Sequence, residues 1–261
     1  MFRARCEDNR GLSFVYTSMG EGPLFHLKHG KRFKAKELFK DISRIIQTHF
    51  GDKTNRLNIL DVGCASGELL YYLKRHFETS GKLCGFDIEK QLVKSAKERF
   101  GDSSIRFFVA DARTFTVPAT FDVITMTSVL SYFDDPYPVL RTVLRHLNEG
   151  GILIISGIFN PWNIDVRLNY KLPDEKRWNR GNVINQCSKK SISEFLMKAG
   201  YSYAFSTQVM PFPLAPTKKN PIRSWTVSLD GRRYMMNGLQ LAYNIELLQI
   251  TQTRKYYEDR S

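Results

Sequence analysis

Along the middle of this 261-residue chain, apolar residues come in two alternating patterns: short β-prone runs, and longer stretches in which they recur every three or four positions. Leu57, Ile59, Leu60 and Val62 form the first short run; Gly63, Cys64, Ala65, Ser66 and Gly67 break it, and Leu69, Leu70, Leu73 and Phe77 resume at helical spacing. This predicts a strand, a tight turn and a helix. The alternation then repeats, with a strand over 82–86, a helix over about 89–100 carrying Leu92, Val93 and Ala96 inward, and strands over 105–110 and 121–127. Asp134, Asp135 and Pro136 open a further helix with Val139, Leu140, Val143, Leu144 and Leu147 on one face, expected to stop at Gly150 and Gly151 before a strand over 152–156. Strands that alternate with helices point to a largely parallel sheet.

The flanks are less regular. Residues 1–30 are punctuated by glycines and read as an irregular segment laid over the domain, whereas Ala35, Leu38, Phe39, Ile42, Ile45 and Ile46 give an amphipathic helix over about 31–50, basic at its start. Downstream, Phe159, Asn160, Pro161, Trp162 and Asn163 begin an aromatic, amide-rich loop running through Asp165 to Asn182, at the carboxyl edge of a strand where substrate loops gather. Ser191 and Glu194 have the spacing of a capping box for the next helix. Strands are expected over 201–209 and 239–251, separated by a Pro-rich basic insertion that contains Lys218, Lys219, Arg223 and Trp225.

The first turn carries the most specific chemistry. Gly63 and Gly67 leave the backbone open to a ligand at the N-terminus of a helix, with Asp61 at the end of the strand. A dinucleotide site would have G-x-G-x-x-G; here the pattern is D-x-G-x-x-x-G, with Ala65 at the middle, and a carboxylate at the mouth suits a cation better than a pyrophosphate. A second acid, Asp87, ends the next strand about 20 residues after the turn, where a doubly wound fold places a ribose-binding carboxylate; the same residue would also serve as a helix cap. Asp111 ends the third strand.

In these residues the chain resembles the class I S-adenosylmethionine-dependent methyltransferases. The resemblance implies a Rossmann-like, doubly wound α/β sheet of seven strands with an antiparallel last strand, together with an N-terminal helical segment and a C-terminal insertion. It also implies S-adenosyl-L-methionine as cofactor. Its amino-acid end would lie on Asp61, Gly63, Cys64, Ala65 and Gly67, its ribose at Asp87 and Ile88, and its adenine at Asp111 and the Ala112 amide, with Ser128 and Val129 beside the sulfonium. Arg32, with Lys31, would clamp the cofactor carboxylate, and His26, His29 and Asp165 are the residues considered as general base for an acceptor that holds its proton tightly. On this division, residues 1–56 form a helical substrate-cap segment and 57–261 the cofactor-binding domain, with substrate-side loops over 157–190 and 210–238.

Charge refines the acceptor. The formal net charge is +13, but the balances over 1–56, 57–156 and 157–261 are +6, −1 and +8, so the excess sits outside the cofactor core. An anionic small or medium-sized acceptor, such as a sugar nucleotide, surface-glycan precursor or phosphorylated metabolite, is the leading expectation. RNA methylation is the second, and a non-catalytic cofactor-binding scaffold the third. The four cysteines, Cys6, Cys64, Cys84 and Cys187, lie far apart, which fits free thiols in a reducing cytoplasm and no zinc framework. No apolar run reaches membrane-spanning length, and MFRARCEDNR lacks the apolar core of a signal peptide. Oligomeric state leaves no signature in the sequence.

Overall fold

The computed structural model describes residues 35–100, 104–172, 175–178, 183–216, 223–239 and 241–252. His26, His29, Lys31 and Arg32 lie outside them. Seven strands make the main sheet: β1 (Ile59–Val62), β2 (Leu83–Asp87), β3 (Ile105–Val109), β4 (Phe121–Thr127), β5 (Leu147–Gly157), β8 (Tyr201–Gln208) and β12 (Ile245–Gln252). Their order is β3-β2-β1-β4-β5-β12-β8. β1 to β5 are mutually parallel, and β12 runs antiparallel to both β5 and β8, which is the reversed strand the sequence implied.

Helices cover both faces, so the strands are apolar on both sides. On one face α1 (Glu37–Phe50), α2 (Glu68–Phe77) and α3 (Lys90–Phe100) bury Phe39, Ile42, Leu70, Leu73 and Val93 against Ile59, Val123 and Ile154. On the other, α4 (Pro136–Leu144) and α5 (Lys189–Lys198) bury Leu140, Val143, Ile192 and Leu196 against Leu60, Ile124, Leu153 and Leu248. Alternation along β1 therefore sends Ile59 and Asp61 to the first face and Leu60 and Val62 to the second. Asp61 replaces an apolar residue in a fully buried strand.

Three expectations need correction. α5 starts earlier than the Ser191–Glu194 box: its N-cap is Ser188, whose Oγ accepts from Ser191 N at 3.0 Å, and the Asp165 carboxylate fixes the cap by accepting from Ser188 N. α4 ends at Leu144, and Gly150 and Gly151 lie within β5, whose pairing with β4 shifts register between Phe121 and Val123. The insertion expected as loop folds instead. β9 (Trp225–Leu229), β10 (Arg232–Met236) and β11 (Ala242–Tyr243) form an antiparallel sheet, and the last core strand begins at Ile245.

The loop after β5 also contains a hairpin, β6 (Val166–Asn169) with β7 (Val183–Gln186). β7 packs over the 3-10 turn Leu130–Tyr132 that follows β4. Asn185 fastens this contact, its buried side-chain amide donating to Phe133 O at 2.9 Å.

Candidate active site

The parallel strands end along one edge, and the order reverses between β1 and β4, the place where open α/β sheets form their crevice. A cavity of about 360 Å³ lies there. Asp61, Gly63, Cys64, Ala65, Asp87, Ile88, Asp111, Ala112, Ser128 and Val129 all border it, so ten of the twelve residues expected to bind cofactor share one space. Gly67 stands just behind the turn, and Arg32 is outside the described residues.

The turn is built from backbone that ordinary residues avoid. Gly63 and Gly67 have φ of 72° and 81°, and Ala65 and Ser128 adopt positive φ as well, at 45° and 57°. Strained backbone of this kind persists where the surroundings over-determine it. Here Gly63 N and Cys64 N both donate to Phe86 O at 2.9 Å, Ala65 N donates to Asp87 Oδ2 at 2.9 Å, and Ser128 N donates to Ser156 O at 2.8 Å. The glycines are also required by protein packing. A Cβ on Gly63 would collide with Val129 Cγ2, and one on Gly67 would sit 2.7 Å from the Phe107 ring.

The three strand-end acids differ in their surroundings. Asp61 is 1% exposed, and its Oδ1 accepts from Thr125 Oγ1 at 2.7 Å. Burial pushes its carboxyl up to about 7, against the Thr125 hydrogen bond and with help from the neighbouring Asp87 charge. Asp87 accepts from Ala65 N and from Glu89 N while bordering the cavity; because α3 opens at Lys90, three residues on, these bonds tie the two turns together and the cap expected of Asp87 is not formed, and burial raises its carboxyl while these amides oppose the rise. Each carboxylate has about four acceptor sites, so two such bonds leave room for hydroxyl donors. Asp111 accepts from Arg113 Nε through both oxygens at 3.0 Å. Cys64 is buried beside Asp61 and Asp87, and burial followed by those two charges drives its thiol well above the ordinary range.

Residues beyond the expected cofactor set also line the space. Glu68, opening α2, is paired with Lys36 at 3.0 Å and Arg99 at 3.2 Å; burial pushes its carboxyl up, but the two cations hold it below its ordinary value. Lys36 itself, Leu92, Tyr132, Phe133 and Arg223 also border the space. Glu68 could have been found, since it follows Gly67 directly; Arg223 was marked only as one of several basic residues of the insertion. Asp165 does not border the cavity, its two oxygens engaged by Ser188 N and Ser191 Oγ at the head of α5.

These residues fit S-adenosyl-L-methionine: a buried carboxylate short of a counter-charge suits the cofactor's cationic end, and the other strand-end acids suit its hydroxyls and amine. Among the described residues no cluster suits a metal ion, and no helix is long and apolar enough to cross a membrane.

Comparison with known proteins agrees. Residues 60–155 match the family described as a methyltransferase domain. A malonyl-[acyl-carrier protein] O-methyltransferase of Ilyobacter polytropus is 28% identical over 131 residues, covering 47% of this chain and 48% of that protein. The chain spans about half or less of the length of the first such relatives it matches, 37% to 56%. A tRNA (guanine-N(7)-)-methyltransferase of Prochlorococcus marinus is 28% identical over 60% of this chain and 86% of its own. In structure, an amino pentose methyltransferase of Micromonospora echinaspora, solved with S-adenosylmethionine bound, superposes with a TM-score of 0.53 at 16% identity, over 86% of this chain and 93% of that one. S-adenosylmethionine is the ligand of that structure, and it is the ligand that the residues lining the present cavity fit. Over residues 60–155 the chain is similar to methyltransferase domains, and its fold is that of the class I S-adenosylmethionine-dependent methyltransferases.

Proposed function

We propose that this protein transfers a methyl group from S-adenosyl-L-methionine to a small or medium-sized anionic acceptor in the cytoplasm. The observation that carries the reading is the convergence of Asp61, Asp87 and Asp111, from three adjacent strand ends, on one cavity of about 360 Å³. That volume is within the range of small-molecule sites, about 300–1,000 Å³.

When bound, the cofactor supplies an electrophilic methyl on a sulfonium. The chain's part is to hold and orient. Asp61 would face the cationic amino-acid end, Asp87 and Ile88 the ribose, and Asp111 and the Ala112 amide the adenine, while Ser128 and Val129 shape the wall after β4. Alignment of two reactants at near-attack distance can remove about 7–11 kcal/mol of barrier, so no nucleophilic side chain is needed. Asp165 serves the fold as a cap in this scheme, and His29 remains the residue proposed as base.

Calorimetry with S-adenosylmethionine tests the site, and mass spectrometry for the gain of one methyl group across a panel of phosphorylated and carboxylated metabolites tests the acceptor class. Absence of cofactor binding would sink the proposal; turnover of neutral acceptors only would sink its finer half. The tRNA-modifying relative supports RNA as a second reading, together with the basic flanks. A steep salt dependence of binding to transfer RNA would bring that reading forward.

A further inference from the structure

The lining of the cavity sets a charge problem for an anionic acceptor. Five carboxyl groups border it, those of Asp61, Glu68, Asp87, Glu89 and Asp111, and the described residues answer with two cations, Lys36 and Arg223. Lys36 stands at the glycine turn, 3.0 Å from Glu68, which directly follows Gly67. Arg223 comes from the insertion between β8 and β12, and the chain beside it is anchored. The Ser224 hydroxyl is hydrogen-bonded to the Tyr243 phenol, and Thr226 N donates to Leu214 O at 3.1 Å while Thr226 Oγ1 accepts from Leu214 N at 2.9 Å. Tyr243 is buried with Met235 and Ile158, and Ile158 follows immediately on β5. The insertion therefore stands on the β5 end of the cavity, two strands away from Asp61 and the glycine turn.

Resting on the methyltransferase reading, we infer that Arg223 recognises the acceptor's anionic group, a carboxylate or phosphate, on the β5 side of the cofactor cavity. A guanidinium is permanently charged and offers a planar fork that matches two oxygens of either group. Its place outside the cofactor-holding turns also gives the +8 balance of residues 157–261 a use at the site itself.

The test compares the whole chain with R223M and R223K in two titrations, one with S-adenosylhomocysteine and one with inorganic phosphate added to protein saturated with S-adenosylhomocysteine. Phosphate binding should weaken about tenfold or more in R223M and less in R223K, with S-adenosylhomocysteine affinity kept within about twofold. Three outcomes overturn the inference: no phosphate binding by the parent chain, unchanged phosphate affinity in R223M, or a loss confined to S-adenosylhomocysteine, which would put the guanidinium on the cofactor's own carboxylate. A parent chain that fails to bind S-adenosylhomocysteine removes the methyltransferase reading and this inference with it. If R223M unfolds, R223K decides alone, since it keeps the charge and loses the fork.

Discussion

Replacing Asp61 with Asn should make the cofactor-free protein more stable while removing its hold on the cofactor. Burial raises the Asp61 carboxyl from 3.8 to about 7. Between those values the folded state keeps a proton that the unfolded chain has released, so stability falls as pH rises through the window and the full deficit is present above about pH 7. A shift of about 3 units at 1.36 kcal/mol each amounts to about 4 kcal/mol. That is a large part of the roughly 5–15 kcal/mol by which domains are stable. D61N keeps the acceptor for Thr125 Oγ1 and carries no charge beside Asp87.

Urea unfolding of both proteins without cofactor, at pH 5, 6, 7 and 8, isolates this residue, because every other group titrates in both. The two should converge toward acid pH, and D61N should gain progressively, by up to about 4 kcal/mol at pH 8. With S-adenosylmethionine the order should reverse, since the cationic end of the cofactor stabilises the ionised carboxylate. Affinity of the parent should then rise from pH 6 to pH 8 with release of a proton, and that of D61N should be weak and flat. A stability difference that stays constant from pH 5 to pH 8 would refute the reasoning.

Further substitutions separate the turn from its supports. Gly63→Ala should cost about 1–2 kcal/mol for the left-handed backbone plus about 1–3 kcal/mol for the clash with Val129. In a double-mutant cycle with Val129→Ala only the second part should be recovered; recovery of all or none by urea unfolding would contradict the contact. Asn185→Ala leaves Phe133 O without its buried donor and should cost about 1–3 kcal/mol. Because Phe133 and Tyr132 border the cavity, the same variant should weaken cofactor binding measured by calorimetry, whereas an unchanged affinity would show that β7 does not position the turn after β4.

The turns and strand ends that border the cavity were legible in the sequence because each of them is local. A strand of known phase ends in an acid, and the turn after it is short, so the tip of β1, β2 or β3 can be placed from a few neighbouring residues. β4 was found at its observed bounds, Phe121–Thr127, for the same reason. What reading by pattern missed depends on partners far along the chain. Ser188 outcompetes Ser191 as the cap of α5 because Asp165, 23 residues upstream, accepts from its amide. β7 was hidden because two of its four residues, Asn185 and Gln186, are polar yet buried, and the Asn185 partner lies 52 residues away. The β9–β10 hairpin is a different case. Asp230 and Gly231, at φ of 49° and 73°, are a two-residue turn of a recognisable kind, and the surrounding prolines drew the reading toward loop.

This division has a chemical consequence. Charge on the cofactor side is fixed by the strand ends of the sheet itself, where Asp61 is held at a cost in stability that the cores on both sheet faces offset. Charge on the other side arrives with Arg223, which precedes the small sheet seated by the end of β5, while the β6–β7 hairpin steadies Phe133. Those attachments can change residue by residue without disturbing the register of β1, β4 and β5. On the proposed reading, acceptor choice and cofactor binding are separable in this fold, and the first variable to alter when seeking a new acceptor is the residue at position 223, ahead of any carboxylate at a strand end.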